Sequence, residues 1–139
     1  DQKTEMAYLQ QRVSQLNFYP IVFGSVLEKK GLLALERTVL QILERRSKMP
    51  TTGVLNRLMA KIVDKTPPPA KQGKRLNVFY VTIVNRKPMS ILIFVNEPKL
   101  VITRYERFIE KQLREEISDF FGLGLKLVFK KRSQNKKEF

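Results

Sequence analysis

Apolar residues at helical spacing dominate the first 50 positions of the chain. They predict one helix over residues 4–17 and a longer one between Gly31 and Pro50, where proline cannot continue a helix. The apolar run of residues 20–25, with proline at its head, predicts a buried strand between the two helices. One strand and two helices cannot complete a sheet by themselves, because their apolar faces need further strands. We therefore expect residues 1–50 to be the tail of a doubly wound α/β domain, and the start without methionine indicates a cut into a longer protein.

A second pattern begins after Pro50 and predicts a separate unit with a different order of elements. Helical stripes alternate with runs of β-branched and aromatic residues that are bounded by proline, glycine and asparagine. The predicted elements are a helix over 51–66, strands over 76–84 and 90–95, a helix over 102–117 and a strand over 125–129. The order is α-β-β-α-β, so the expected fold class is α/β (α+β), three strands with two helices on one face.

Both faces of the first two predicted strands are apolar. Strict alternation directs Val78 and Tyr80 to one face and Phe79 and Val81 to the other. A sheet with one solvated face normally alternates apolar and polar residues. We therefore expect another domain of the longer protein to cover the second face.

The distribution of charge along the chain indicates the expected partner. The chain carries a formal net charge of +14, of which residues 1–50 hold +3 and residues 51–139 hold +11. A dense positive field concentrates polyanions, so RNA is the favoured partner of the second unit, and a solvated basic surface is the alternative.

Several chemistries are excluded by the residues that are absent. The chain has neither Cys nor His, which removes disulfides, Cys/His zinc sites and histidine general bases. It also lacks a Gly-x-x-x-x-Gly-Lys-Ser/Thr phosphate loop and an Asn-Lys-x-Asp base-reading motif. We expect no catalytic residue, no metal and no cofactor in this chain. We expect a cytoplasmic protein, because cysteine is absent and no apolar run reaches the ~20 residues of a membrane span.

The candidate RNA-binding residues are lysines and arginines of the second unit. No Gly-x-x-Gly loop is present to clamp a single strand, and most Tyr and Phe residues fit core positions. The remaining mode is recognition of the RNA backbone by cations, although each one has a plain surface charge as its alternative. The candidates are Lys71, Lys74, Arg75, Arg86, Lys87, Lys126, Lys130, Lys131, Arg132, Lys136 and Lys137.

Several segments resemble the C-terminal KH-like domain of the bacterial GTPase family Der, also called EngA. The similar segments are Thr52-Gly53-Val54-Leu55-Asn56, Gly73-Lys74-Arg75-Leu76 with Tyr80, Lys87-Pro88, Phe94-Val95-Asn96 with Pro98, and Tyr105 with Leu113-Arg114. Residues 20–25 resemble the last strand of the family's second G domain, where a Ser-Ala loop lies under guanine. Here that pair is Ser25-Val26. Two further departures are Met89, in place of a second proline, and Gly122-Leu123-Gly124, in place of Gly-Thr-Pro.

The resemblance implies a G-domain remnant over 1–50, a KH-like domain over 51–132 and a basic disordered tail over 133–139. It implies that GTP and Mg²⁺ belong to the longer protein, with a vestigial nucleotide contact at Ser25 and Val26. It further implies work in assembly of the large ribosomal subunit, with ribosomal RNA and the G domains of the same protein as partners. We expect a monomer without a membrane partner. The alternative function is an interdomain module that packs on a G domain and senses its nucleotide.

Overall fold

The computed structural model describes residues 1–133, with the exception of the Arg86 side chain. It divides into two compact units. Unit 1 comprises residues 1–49 together with 117–123, and unit 2 comprises residues 50–116 together with the chain from Gly124 onward. The segment 117–123 thus packs with the residues of the predicted G-domain remnant.

Unit 1 contains two helices, as the apolar spacing predicted. Helix α1 spans Gln2–Arg12 and is followed by a 3-10 turn over Ser14–Phe18, so the first helix is shorter than predicted. Helix α2 spans Leu32–Ser47. The prediction of a strand over residues 20–25 is wrong, since the only pairing there is an isolated bridge between Ser25 and Lys30. A strand needs a neighbour to accept its hydrogen bonds, and no strand of unit 1 among the described residues provides one.

The segment 117–123 is held in unit 1 by specific contacts. The Gly122 N–H donates to the Phe18 carbonyl over 2.8 Å. Gly122 has φ +82°, and an added Cβ would lie 3.0 Å from the Ile42 side chain. The Arg45 guanidinium lies 5.2 Å from the centre of the Phe121 ring and donates to the Phe121 carbonyl over 3.3 Å. Glycine is therefore needed at position 122 for both its backbone conformation and its small size.

Unit 2 has the predicted α-β-β-α-β order, which confirms the fold class. Its elements are α3 (Thr52–Lys65), β1 (Val78–Arg86), β2 (Met89–Val95), α4 (Thr103–Glu116) and β3 (Leu125–Lys131). The strand order is β1-β2-β3, where β1 pairs with β2 antiparallel and β2 pairs with β3 parallel. The chain reaches the parallel strand through α4 and the segment 117–123, because parallel neighbours need a crossover connection.

The core of unit 2 lies between the helices and one face of the sheet. Buried side chains of the helices include Leu55, Met59, Ile62, Tyr105, Ile109 and Leu113, and those of the sheet include Val81, Ile91, Ile93 and Val95. On the opposite face, Tyr80 and Val84 remain 45% and 56% exposed. No described segment of unit 2 buries this second face, which we call the open face.

The start of α3 shows what the Thr-Gly-Val-Leu-Asn segment does. The Thr51 side chain caps the helix by accepting from the Val54 N–H over 3.3 Å. Leu55 is fully buried in the core. The Asn56 amide donates to the Val81 carbonyl over 2.7 Å and accepts from the Val81 N–H over 2.8 Å. Asn56 thereby satisfies both backbone groups that edge strand β1 presents at this position.

Candidate nucleic-acid interface

Strand β3 and the residue that follows it place three candidate cations on the open face. Lys126 is the register partner of Ser90, and Lys130 is the partner of Phe94. Side chains alternate along a strand, so Lys126 and Lys130 share the face opposite the helices, and Arg132 continues the same column. The Arg132 N–H extends the pairing by donating to the Val95 carbonyl over 3.0 Å. All three side chains are exposed.

Aromatic residues lie beside this column. Tyr80 pairs with Phe94 in the register, and their ring centres are 6.2 Å apart. The Arg132 guanidinium lies 5.2 Å from the centre of the Phe79 ring, which places Phe79 on the open face as well. Phe79 and Tyr80 are 46% and 45% exposed. We call Phe79, Tyr80, Phe94, Lys130 and Arg132 the aromatic–basic cluster.

The structure corrects two expectations about these aromatic residues. Strict alternation directed Phe79 and Tyr80 to opposite faces, but the register shifts between Val78 and Tyr80. A bulge sets two residues of one strand against one residue of its neighbour, so the alternation is interrupted there. The assignment of most aromatics to the core is also wrong for Phe79 and Tyr80.

A basic turn lies at the end of the sheet where β2 and β3 finish. Lys71 and Lys74 exchange backbone hydrogen bonds of 2.9 and 3.0 Å, which confirms the predicted exposed loop. The Asn96 side chain donates to the Arg75 carbonyl over 3.0 Å and accepts from the Asn77 N–H over 2.9 Å. These bonds fix the turn to the end of β2. Lys71, Lys74 and Arg75 therefore lie at the same end of the sheet as the last residues of β3.

Two of the ammonium groups at this end make internal contacts. Lys71 Nζ donates to the Lys99 carbonyl over 2.8 Å, and Lys131 Nζ lies 3.4 Å from Glu97 Oε2. The Lys99 backbone N–H and then the Lys131 ammonium hold the pKa of Glu97 below its ordinary value. Both lysines are exposed, and exposed ion pairs contribute little to stability. An incoming phosphate can therefore compete for either ammonium group at small cost.

The remaining candidates do not join this group. Lys87 lies in the turn between β1 and β2, where its N–H donates to the Asn85 side chain over 3.1 Å and its peptide bond to Pro88 is cis. The seven residues of β2 separate this turn from the other end of the sheet by roughly 20 Å. Arg86 belongs to β1, but its side chain lies outside what the structure describes, as do Lys136 and Lys137.

In the loop predicted to contact guanine, Ser25 is hydrogen-bonded to other residues of the same loop. The Ser25 N–H and carbonyl pair with Lys30 over 3.0 and 3.1 Å, and Ser25 Oγ accepts from the Glu28 N–H over 3.2 Å. Val26 and Leu27 are almost fully exposed. The Ser25 N–H is thus already hydrogen-bonded within the loop. Within residues 1–133 no acidic group of three or more members could hold Mg²⁺. The contact at Ser25 and Val26 stays a prediction for the longer protein.

Membrane insertion of a helix finds no support in the described part of the chain. None of its helices combines the length and apolar character that crossing a bilayer requires.

Comparison with known proteins identifies the family. The family described as the KH-domain-like C-terminal region of EngA bacterial GTPase enzymes matches residues 50–130. GTPase Der of a Thermoanaerobacter species is 37% identical over 127 residues, covering 91% of this chain and 29% of the relative. GTPase Der of Finegoldia magna is 39% identical over 117 residues, covering 84% and 26%, and that of Chlorobium phaeobacteroides is 33% identical over 121 residues, covering 87% and 28%. The chain thus spans less than a third of the length of these curated relatives. It belongs to the Der (EngA) GTPase family and carries that family's KH-like C-terminal domain.

Proposed function

We propose that this chain is the RNA-contacting module of a GTP-binding protein that acts in assembly of the large ribosomal subunit. In this proposal ribosomal RNA is the partner, and GTP hydrolysis with Mg²⁺ belongs to other domains of the longer protein. The observation that carries it is the grouping of exposed cations on the open face and at the adjoining end of the sheet.

The charge of the sheet supports contact with a polyanion such as the phosphate backbone of RNA. The three strands contain no Asp or Glu, whereas β3 alone contains Lys126, Lys130 and Lys131. Glu97, one of the acidic residues near this end, is already paired with Lys131. Cations that neutralise phosphates release condensed counterions, so such binding is strong at low salt and weakens as salt rises.

The test is the salt dependence of binding to ribosomal RNA and to isolated large subunits. We expect log Kd to rise linearly with log salt concentration. Changing Lys126, Lys130 and Arg132 together to Gln should reduce the slope by about two, since each phosphate contact contributes about 0.7–0.9. The matched control changes Arg57, Lys61 and Lys65 of α3 to Gln, which removes the same charge elsewhere in unit 2. Affinity that is independent of salt, or equal losses in both variants, would contradict the proposal.

A second candidate function is packing on a G domain of the longer protein with sensitivity to its nucleotide. The observation that favours it is the exposure of apolar side chains on the open face of the sheet, where Phe79, Tyr80 and Val84 are 46%, 45% and 56% exposed. Large apolar side chains on one face of a sheet generally mark a surface that another domain covers. Capture of the G domains by this chain, compared under GTP and GDP, tests this function. Equal capture in both nucleotide states would argue against sensing.

A further inference from the structure

The aromatic–basic cluster is more than a set of surface charges. Nearly half of the Phe79 and Tyr80 surface is exposed, on a sheet face that also carries cations from β3, on the far side of β2. The Arg132 guanidinium is held over the Phe79 ring, and Tyr80 lies against Phe94. The cluster thus presents flat π surfaces and positive charge at one place.

We propose that the aromatic–basic cluster stacks unpaired bases of a single-stranded RNA segment, with Tyr80 and Phe79 as the stacking residues. This inference rests on the proposed function and adds base contacts to the backbone contacts described above. It assigns RNA binding to the open face of the sheet, and it requires no clamping loop between helices.

The chemistry of the cluster fits an unpaired nucleotide. An aromatic ring offers a stacking partner to any base, and a guanidinium plane can stack on a base or bind the adjacent phosphate. Lys130 lies opposite Phe94 in the register, within reach of the backbone of a strand whose bases lie on the rings. Stacking needs no particular pattern of donors and acceptors, so the cluster should tolerate different base sequences.

Charge favours RNA over a protein as the occupant of this face. The column of Lys126, Lys130 and Arg132 lies on the same face as the aromatic residues, and the three strands contain no Asp or Glu. One acidic side chain, Asp64 of α3, lines a cleft with Phe79 and Tyr80 and leaves the cations of this face in excess. A protein interface core is depleted of charged residues, because desolvating three cations is costly without matching anions. A nucleic acid brings one phosphate for each stacked base.

The experiment compares three RNA ligands of equal length with the complete 139-residue chain. The probes are a fluorescein-labelled ten-nucleotide oligo(A), a ten-unit abasic strand with the same phosphates, and a ten-base-pair duplex. We expect the single strand to bind more tightly than the abasic strand, since only the first offers bases. The duplex has twice the phosphates and reports backbone contact, so oligo(A) binding no tighter than abasic-strand binding at the same salt concentration would overturn the inference.

Substitutions locate the stacking. Tyr80→Ala and Phe79→Ala should each weaken oligo(A) binding by about 5- to 150-fold, the range measured for loss of one stacked base. Neither change should alter abasic-strand binding. Tyr80→Phe should retain the affinity, because the ring remains. The matched control is Tyr8→Ala on α1, where a tyrosine that is 53% exposed also lies beneath an arginine, at 4.9 Å.

A spectroscopic measurement separates stacking from a structural role. The chain contains no Trp and four Tyr, so its ultraviolet fluorescence reports on tyrosine alone. Stacking on oligo(A) should quench part of this emission, and Tyr80→Phe should lose that quenching while it keeps the affinity. Thermal unfolding at an unchanged midpoint verifies that each variant is folded.

The outcomes distinguish failure of the inference from failure of the proposed function. Salt-dependent binding that is equal in wild type and Tyr80→Ala overturns stacking and leaves backbone contact intact. If Tyr80→Ala instead weakens only the capture of G domains, the open face is a protein interface and stacking is overturned. Absence of binding to every RNA, large subunits included, overturns both the inference and the proposed function.

Discussion

Replacement of Asn56 by alanine tests the central contact between helix and sheet in unit 2. The side chain makes three hydrogen bonds: Nδ2 donates to the Val81 and Thr52 carbonyls over 2.7 and 2.8 Å, and Oδ1 accepts from the Val81 N–H over 2.8 Å. Val81 is fully buried on edge strand β1, and no strand of the described residues pairs with it on that side. Asn56→Ala leaves both backbone groups of Val81 without this partner.

The magnitude follows from these bonds. A buried donor or acceptor that loses its partner costs about 1–3 kcal/mol, which gives about 2–6 kcal/mol for the two Val81 groups. Two effects reduce this range. Water can reach an edge strand once the side chain is removed, and alanine gains up to about 0.7 kcal/mol in helix propensity. We therefore expect a loss of about 2–3 kcal/mol in the free energy of unfolding.

Urea unfolding followed by circular dichroism measures this loss. The midpoint should fall while the slope m stays unchanged, because the same surface is exposed on unfolding. The Val81 amide should also lose protection against hydrogen exchange. Gln112→Ala is the control, since that side chain amide donates only to the exposed Glu115 over 3.0 Å, and we expect a change below about 0.5 kcal/mol. An Asn56→Ala midpoint equal to that of the control, with the Val81 amide still protected, would refute the reasoning.

Two further predictions concern other parts of the chain. Gly122→Ala should lower the free energy of unfolding by about 2–3 kcal/mol, because φ is +82° and the new Cβ would lie 3.0 Å from the Ile42 side chain. In the control, Gly124→Ala, the new Cβ meets nothing within 4 Å, so the loss should be less than about 1 kcal/mol. Thermal unfolding compares the two variants, and equal losses would contradict the packing of 117–123 in unit 1. Burial raises the pKa of Tyr105 from 10.0 to about 12, and its hydroxyl donates to the Thr66 carbonyl over 2.8 Å. Between pH 10 and pH 12 the folded state keeps the Tyr105 proton that the unfolded state has lost, so the free energy of unfolding falls as the pH rises. The contribution of Tyr105 is therefore complete below pH 10, and about 2–3 kcal/mol of it is lost by pH 12. Tyr105→Phe should remove that part of the pH dependence in urea titrations at successive pH values, and an unchanged alkaline profile would show that another group is responsible.

The sequence predicted most elements because their patterns are local. Apolar spacing and proline positions located all four helices and all three strands of the described chain to within a few residues. The exception, residues 20–25, depends on pairing partners that lie outside the local sequence. The local sequence also could not predict that residues 117–123 belong to unit 1. This grouping depends on contacts such as the hydrogen bond from Gly122 to Phe18, more than 100 residues away along the chain.

The candidate site was predictable in its charges and less so in its geometry. Net charge identified the cations. Only the parallel register of β3 with β2 shows that Lys126 and Lys130 lie on the open face, whereas Lys131 lies on the other face and pairs with Glu97. The Lys87 turn lies at the opposite end of the sheet. Candidate cations that the sequence does not distinguish therefore lie far apart in the structure.

The bulge at Phe79 explains why the aromatic part of the site was missed. Alternation is a sound guide only while two strands stay in step, and a single extra residue in β1 reverses the assignment of every position before it. Here the extra residue brings Phe79 to the side of Tyr80, within 5.2 Å of the Arg132 guanidinium. A sequence signal was present, since two consecutive aromatics at the start of a strand cannot both enter the core by strict alternation. The irregularity at the start of β1 is thus the feature that exposes two adjacent rings on the face that carries the cations of β3.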